Sequence, residues 1–195
     1  MAEQTTHTTR GDAPLSAAKQ PDPRAVAAPG AYIEKDDQLV ARTVSINRPR
    51  EELYAFWRDF TNLARFMENI EGISVLDERR SHWVVTAPGD RMVEWDSVVT
   101  EDVPGSVIAW ASVKGADVRN SGRVEFRDST NGRGTVVTVT IVYDPPGGAV
   151  GKALAKLLQR EPNIQARRDL RRFKQLMETG EVATARPPRA APRGR

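Results

Sequence analysis

Two carboxylates and one arginine are the residues whose types and spacing could do chemistry. Glu94 and Asp96 flank Trp95 in a segment with strand character, and a pair of carboxylates could serve in general acid–base catalysis. Alternation along a strand favours another interpretation, because Val93 and Trp95 facing inward would turn both carboxylates outward into solvent. Arg42 has the parity of the apolar residues in its own strand. We expect its side chain either to reach the inner face or to form a salt bridge at the strand end.

Several other kinds of site have no support in the sequence. The chain contains no cysteine and two histidines, His7 near the N-terminus and His82. Since His82 has no second histidine or cysteine as a partner, the sequence indicates neither a metal site nor a nucleophile–histidine triad. The glycines at 147–151 lack the lysine of a phosphate-binding P-loop. We therefore predict no catalytic residue, no metal and no cofactor.

The length and composition predict one domain with two tails. The chain has 195 residues and an apolar fraction of 39%, with the polar excess at the two ends. Residues 1–37 are predicted to be a disordered N-terminal tail and residues 181–195 a disordered basic C-terminal tail, which leaves a domain at 38–180. No apolar run is long enough for a membrane span, and no secretion signal is evident, so we expect a cytoplasmic protein. The oligomeric state is not indicated.

The longest predicted helix runs from Ala149 to Glu178. Pro162 marks a kink or a fresh start within it, and Gly180 is well placed to end it. One face of its second half is basic between Arg167 and Lys174, which could contact phosphates, but aromatic residues are not interleaved. A solvated helix face is therefore favoured, and nucleic acid is not an expected partner. The opposite face carries an apolar stripe formed by Ala166, Leu170, Phe173 and Met177.

The segments before that helix predict a strand, two short helices and an antiparallel meander. The first strand covers Leu39–Asn47, Pro49 lies in the first turn of the next helix, and Thr61 is the predicted cap of the second. Six more strands are separated by glycine and proline turn signals at short intervals. They are Gly72–Glu78, Ser81–Ala87, Arg91–Glu101, Ser106–Val113, Arg119–Arg127 and Thr135–Tyr143. The predicted fold is α+β, with a curved seven-stranded sheet wrapped around the C-terminal helix.

This order of elements resembles the START-like (SRPBCC) superfamily, which includes the plant pathogenesis-related allergens. Within it, the chain is similar to the bacterial polyketide cyclase/dehydrase and lipid transport family. The resemblance covers about residues 39–181 and implies the helix-grip fold of that superfamily. It is carried by INRPREELYAFWRDFTNLARFM at 46–67, VEWDSVVTEDVPGSVIAW at 93–110, SGRVEF at 121–126, TVVTVTIVYDPPGG at 135–148 and DLRRFKQLMETGE at 169–181.

The resemblance implies an apolar cavity between the concave face of the sheet, the two short helices and the long helix. Bulky residues that the patterns turn inward would line such a cavity, or would instead pack into a filled core together with Trp57. Tyr143 and the indoles also carry polar groups that could orient a ligand. The candidate ligand-binding residues are Arg42, Phe66, Met67, Trp83, Trp95, Trp110, Phe126, Tyr143, Leu170, Phe173 and Met177.

Three functions follow from these observations as expectations. The first is binding or transport of a hydrophobic or aromatic small molecule, lipid or polyketide-like, without catalysis. The second is a polyketide cyclase/dehydrase that acts by confining its substrate, with Arg42 or Tyr143 holding a substrate oxygen. The third is a stress-response or interaction module that binds an acidic partner through the basic helix face and tail.

Overall fold

The structure, a computed structural model, describes residues 38–87, 91–116, 118–144 and 162–182. These residues form seven strands, two α-helices and one 3₁₀ helix. In chain order they are β1 (Gln38–Ile46), α1 (Arg50–Arg58), the 3₁₀ helix (Phe60–Arg65), β2 (Ile70–Val75), β3 (Arg80–Ala87), β4 (Arg91–Val103), β5 (Val107–Ser112), β6 (Arg119–Asp128), β7 (Thr135–Asp144) and α2 (Pro162–Thr179).

The seven strands form one antiparallel sheet in the order β1-β7-β6-β5-β4-β3-β2. Strands that follow one another from β2 to β7 are neighbours, as in a meander, and β1 pairs with β7 at the far edge. The chain therefore crosses from one edge of the sheet to the other between β1 and β2, and α1 and the 3₁₀ helix lie in that crossing. The predicted α+β class, strand number and helix order are confirmed.

The turn after β2 falls earlier than the sequence predicts. A strand was expected over Gly72–Glu78, whereas β2 ends at Val75. The side chain of Asp77 accepts hydrogen bonds from the backbone N–H groups of Arg79 (2.9 Å) and Arg80 (2.7 Å). An aspartate that bonds to the backbone two and three residues ahead forms a turn, and this turn stops the strand.

The second short helix is a 3₁₀ helix, and Thr61 is not its cap. The helix begins at Phe60, and the carboxylate of Asp59 accepts hydrogen bonds from the backbone N–H (3.1 Å) and the hydroxyl (2.6 Å) of Thr61. The predicted cap was therefore wrong by two residues. Both residues are preferred at helix N-termini, and the earlier one provides the carboxylate.

Aromatic side chains join α2 to the concave face of the sheet. Phe173 of α2 is fully buried, with its ring centroid 4.9 Å from that of Phe66 and 5.0 Å from that of Trp57. Trp57 of α1 also lies edge-on to Phe126 of β6, at 6.4 Å. Leu170 and Met177, which the sequence placed on one apolar stripe with Phe173, are buried as well. The predicted apolar stripe is therefore the packed face of α2.

The C-terminal end of α2 is fixed to the turn that follows β1. The guanidinium of Arg48 donates to the carbonyl oxygens of Met177 (2.7 Å) and Glu178 (3.0 Å), which the end of a helix leaves unpaired. The ammonium of Lys174 donates to the Ser45 carbonyl at 2.7 Å. Gly180 has φ +81° and its N–H bonds back to Leu176, so it ends the helix as predicted.

The other predicted parts of the chain lie outside the described residues. These are the first half of the long helix (residues 149–161), the whole predicted N-terminal tail (residues 1–37) and most of the predicted C-terminal tail (residues 183–195). The helix that is described begins at Pro162, the position where the sequence predicts a kink or a fresh start. The disorder of the tails therefore stays a prediction.

One partly buried carboxylate lies where α2 meets the loop before β2. Burial raises the pKa of Asp169 to about 7, and the nearby carboxylate of Glu68 adds to the rise, against the lowering effect of a hydrogen bond from Gln165. Glu68 itself forms ion pairs with Arg168 (3.4 Å) and Arg172 of the same helix. Asp169 therefore exchanges its proton near neutral pH.

We predict that an alanine at Gly122 destabilises the fold strongly. A Cβ there would lie 2.2 Å from Cζ2 of Trp110, whose ring cannot retreat because it packs on Phe60 and Trp83. Overpacking of this kind costs about 1–3 kcal/mol or more, which urea denaturation will show as a lower midpoint. Gly72→Ala is the control, since nothing lies within 4 Å of its Cβ. Equal effects of the two substitutions would contradict this packing.

We also predict that the wild-type protein loses stability as the pH rises toward 7, and that the Asp169→Asn variant does not show this loss. Because the folded-state pKa of Asp169 is about 7 and unfolded aspartate titrates near 3.9, the stability contributed by the protonated form is complete below about pH 4 and is lost as the pH rises through 7. Between pH 4.5 and 8, the free energy of unfolding of Asp169→Asn should gain roughly 2–4 kcal/mol relative to wild type. A pH-independent difference between the two proteins would show that Asp169 titrates normally.

Candidate ligand-binding cleft

Three indoles lie stacked on the concave face of the sheet. Trp83 of β3 lies between Trp95 of β4 and Trp110 of β5, with centroid distances of 6.0 and 6.1 Å and interplanar angles of 17° and 16°. The register pairs Trp83 with Trp95 directly, and Trp110 lies over Gly122 of β6, which has no side chain to obstruct it. All three tryptophans are buried. The sequence therefore assigned their direction correctly.

Two of these indoles make the same kind of polar contact, each with its own serine. The Nε1–H of Trp83 donates to the hydroxyl of Ser81 at 2.9 Å, and the Nε1–H of Trp95 donates to the hydroxyl of Ser97 at 3.1 Å. In each pair the serine is two residues from its tryptophan, and therefore on the same face of its strand. The indole nitrogens of these two strands are thus hydrogen-bonded within the apolar interior.

The predicted site residues divide between the interior and the edge of the sheet. Phe66, Trp83, Trp95, Trp110, Phe126, Leu170, Phe173 and Met177 are buried, and Met67 is half-buried against them. Arg42 is half-buried opposite Val139 on the concave face, and its guanidinium donates to the Ala41 carbonyl at 2.7 Å. The side chain of Tyr143 lies outside the described residues. Arg42 belongs to the edge strand β1, far from the indole stack.

A cleft opens beside the indole stack, at the end of the sheet where β2 turns into β3. Its volume is about 710 Å³. Its inner wall includes Phe60, whose ring lies 5.7 Å from that of Trp83 and 5.8 Å from that of Trp110. Phe60 therefore separates the cleft from the indoles. The lining residues are Tyr54, Ala55, Arg58, Asp59, Phe60, Val75, Asp77, Glu78, Arg79, Arg80, Ser81 and Val99.

A group of charged and polar side chains holds the walls of this cleft together. The phenol of Tyr54 donates to one oxygen of Asp102, and the Nε–H of Arg58 donates to the other at 2.7 Å. Arg58 also donates to the backbone carbonyl of Glu78 at 2.8 Å, which joins α1 to the β2–β3 turn. We call Tyr54, Arg58 and Asp102 the cleft latch.

A bulge in β4 places Asp102 in the latch. The pairing of β4 with β5 shifts between Val99 and Glu101, so that one extra residue is inserted there. Because a strand alternates its faces, the extra residue turns Asp102 to the face that carries Val99 and Ile108, toward α1. Burial raises the pKa of Tyr54 to about 12, and its hydrogen bond to Asp102 contributes to the rise. The phenol therefore stays protonated at ordinary pH.

The arginines of the cleft are already engaged by protein groups. Arg79 donates twice to the carbonyl of Val99, at 2.8 and 3.2 Å. Arg80 forms long ion pairs with Asp77 (4.0 Å) and Asp96 (3.7 Å). Hydrogen bonds from the backbone N–H groups of Arg79 and Arg80 lower the pKa of Asp77, so this carboxylate stays charged. Charges of both signs thus line the rim, and the three arginines are matched by three carboxylates.

The cleft residues differ from those that the sequence patterns singled out. None of the ten predicted ligand-binding residues whose side chains the structure describes lines the cleft. Nine of them are buried or half-buried in the interior, and Arg42 lies on the edge strand β1. Phe60 was missed because it directly precedes the residue taken as the helix cap. Ser81 could have been found, since Ser81-His82-Trp83 on β3 and Trp95-Asp96-Ser97 on β4 are mirror-image spacings on paired strands.

The carboxylates Glu94 and Asp96 lie on the convex face, as alternation indicates. His82 lies between them, 2.8 Å from Asp96 and 3.5 Å from Glu94, on the side of the sheet away from the indoles. No cluster of three or more potential metal ligands occurs among the described residues. Within the same residues, no helix has the length and apolar character needed to cross a membrane.

Comparison with known sequences supports the resemblance. The sequence profile of a family described as polyketide cyclase / dehydrase and lipid transport matches residues 46–171, more than half of the chain. An uncharacterized 17.2 kDa protein of Streptomyces lincolnensis is 27% identical over 141 residues, which cover 71% of this chain and 89% of that protein.

Comparison with solved structures confirms the helix-grip fold. A protein of Deinococcus radiodurans is 40% identical with a TM-score of 0.61, and the match covers 74% of this chain and 100% of that one. The Zhui aromatase/cyclase of a Streptomyces strain is 16% identical with a TM-score of 0.58, over 75% of this chain and 99% of the other. At such low identity the second likeness concerns the fold alone.

We predict that Asp102→Asn opens the latch and lowers stability. An amide offers one oxygen where the carboxylate offers two, so either Tyr54 or Arg58 then faces an NH₂ group. Loss of a charge-assisted hydrogen bond should reduce the free energy of unfolding by about 1–2 kcal/mol and speed hydrogen exchange in the β2–β3 turn. Asp128→Asn is the control, since exposed Asp128 lies 3.7 Å from Arg50. Equal exchange in both variants would show that Asp102 does not hold the turn.

Proposed function

The chain belongs to the polyketide cyclase/dehydrase and lipid transport family, and we propose on this basis that it binds a hydrophobic or aromatic small molecule in the cleft. The observation that carries the proposal is the cleft's position. It opens next to Phe60 and the three stacked indoles, so its inner wall is continuous with the most aromatic part of the interior.

The size and lining of the cleft support a small-molecule ligand. A volume of about 710 Å³ lies within the range of roughly 300–1,000 Å³ that is usual for ligand sites. Phe60, Val75 and Val99 are apolar residues of the lining, and Ser81 is a lining residue that carries a hydroxyl. Val75 is also 60% exposed, so apolar surface is available to a ligand without unpacking the core. Ligand sites in general combine apolar walls with polar groups, and in this cleft half of the lining residues are charged.

Binding is favoured over a cyclase or dehydrase reaction by the state of the latch. A dehydration or cyclisation needs a group that gives or takes a proton near neutral pH. Tyr54 lines the cleft, but its pKa of about 12 makes it a weak acid, and its proton is donated to Asp102. Arg42, one of the two residues that the sequence associated with a cyclase, lies on the opposite edge of the sheet.

The basic face of α2 gives less support to an acidic partner. Arg168 and Arg172 pair with Glu68, and Lys174 binds Glu178 and a backbone carbonyl of β1, so the chain's own groups engage much of this face. Surface charge that is already paired adds little attraction for a partner. The basic tail, which would complete such a surface, lies outside the described residues.

We predict that filling the cleft abolishes binding of a neutral aromatic ketone. Ala55 is exposed on α1 and lines the cleft, so Ala55→Trp should occupy the site without entering the core. The probe is the fluorophore prodan (6-propionyl-2-dimethylaminonaphthalene), whose emission shifts to the blue in an apolar site. Wild type should produce a saturable blue shift, and Ala55→Trp should weaken binding at least tenfold.

The control is Glu52→Trp, which adds the same side chain at an exposed position of α1 that does not line the cleft. This variant should bind prodan like wild type. Native mass spectrometry of the protein purified from its own source should in addition show a bound organic molecule. Absence of saturable prodan binding together with a ligand-free natural protein would overturn the proposal.

A further inference from the structure

Ser81 connects the cleft with the aromatic interior. Ser81 lines the cleft, yet only 3% of its surface is exposed. Its oxygen accepts the Nε1–H of Trp83 at 2.9 Å. A serine hydroxyl can accept and donate at the same time, so its own hydrogen is still available. Within the described ranges, that hydrogen has no acceptor.

The contact with Trp83 makes Ser81 a better donor. A hydroxyl that accepts a hydrogen bond is polarised by it, and its O–H then donates more strongly. The hydrogen bond from Trp83 also fixes the position of the Ser81 oxygen, because the indole of Trp83 is itself held between Trp95 and Trp110. A buried donor without a partner costs about 1–3 kcal/mol. An oxygen atom entering the cleft would relieve that cost.

The charges around Ser81 select the kind of oxygen. Arg58 is engaged by Asp102 and the Glu78 carbonyl, and Arg79 by the Val99 carbonyl. Arg80 pairs with Asp77 (4.0 Å) and with Asp96 on the convex face (3.7 Å). A carboxylate or phosphate beside Ser81 would therefore lose its hydration and compete with the protein's own carboxylates for these arginines, which is unfavourable. A neutral carbonyl loses far less hydration and needs one donor. The site thus suits an aromatic ketone or quinone better than an anion.

Resting on the proposed binding function, we propose that Ser81 is the residue that selects the ligand, by donating its hydroxyl hydrogen to a neutral carbonyl oxygen of an aromatic molecule in the cleft. Trp83 positions that hydroxyl and polarises it. The aromatic rings of the ligand lie against Phe60 and Val99, and the carbonyl points toward the base of the cleft.

Ser97 provides a matched control within the same sheet. Its hydroxyl accepts from Trp95 at 3.1 Å, it lies directly opposite Ser81 in the register, and it is fully buried. It does not line the cleft. Replacing either serine by alanine leaves one buried indole N–H without its acceptor. The two variants therefore lose the same kind of hydrogen bond to an indole. They differ because only Ser81 lines the cleft in which a ligand would bind.

The test compares two neutral molecules of the same shape by equilibrium dialysis. The probes are 2-acetylnaphthalene and 2-isopropenylnaphthalene, in which a CH₂ group replaces the carbonyl oxygen. The quantity measured is the ratio of their dissociation constants, which cancels effects on apolar binding. Relative to wild type, Ser81→Ala should shift this ratio against the ketone by about 5- to 10-fold, the value of one hydrogen bond. Ser97→Ala should leave the ratio unchanged, and Ser81→Thr should restore it.

Three results would overturn the assignment. One is a ratio that Ser81→Ala leaves unchanged, another is an equal shift in Ser97→Ala, and the third is tighter wild-type binding of 2-naphthoate than of 2-acetylnaphthalene. If Ser81→Ala does not fold, Ser81→Cys replaces it, because a thiol of similar size is a weak donor and should give a smaller shift in the same direction. If wild type binds neither naphthalene, the assignment of an aromatic ketone to Ser81 is also overturned, and the prodan and native mass spectrometry results decide the proposed function. If wild type binds the naphthalenes but Ser81→Ala leaves the ratio unchanged, the proposed binding function still holds and only the assignment of Ser81 is wrong.

Discussion

The contact of Phe173 with Trp57 and Phe66 is the constraint on which the rest of the structure depends. These three rings bring together α2, α1 and the segment after the 3₁₀ helix, and Trp57 extends the contact to Phe126 in the sheet. A curved sheet exposes its apolar concave face unless a helix covers it, and close packing of large rings provides most of the buried area. The interior is occupied in this way, and the cleft described above lies at the end of the sheet, beside Phe60.

The form of the cleft comes from two local interruptions of regular structure. The bulge in β4 turns Asp102 toward α1, where it binds Tyr54 and Arg58. The turn formed by Asp77 ends β2 early and places its backbone within reach of Arg58. Neither the bulge nor the turn contributes to the hydrophobic core. Together they join α1 to β4 and to the turn between β2 and β3.

Two pairs of serine and tryptophan form polar contacts in the interior. Placing Ser81 and Ser97 beside indole nitrogens satisfies two buried N–H groups without introducing a charge. The same arrangement leaves hydroxyl hydrogens unused within the described part of the chain, and Ser81 places one of them at the cleft. An apolar interior that retains a neutral donor at its entrance differs from a plain hydrophobic core, in which every polar group is paired.

The sequence by itself determined the class of fold, the number of strands and the inward direction of Trp83, Trp110 and Phe126, because alternation and helical periodicity follow from backbone geometry alone. It also predicted the end of α2 at Gly180 and the outward direction of Glu94 and Asp96. Only the tertiary structure decided that the cleft lies beside Phe60 and Ser81, at the opposite edge of the sheet from Arg42. The physical reason is that a bulge shifts the parity of all residues after it, and packing between distant segments decides which rings meet.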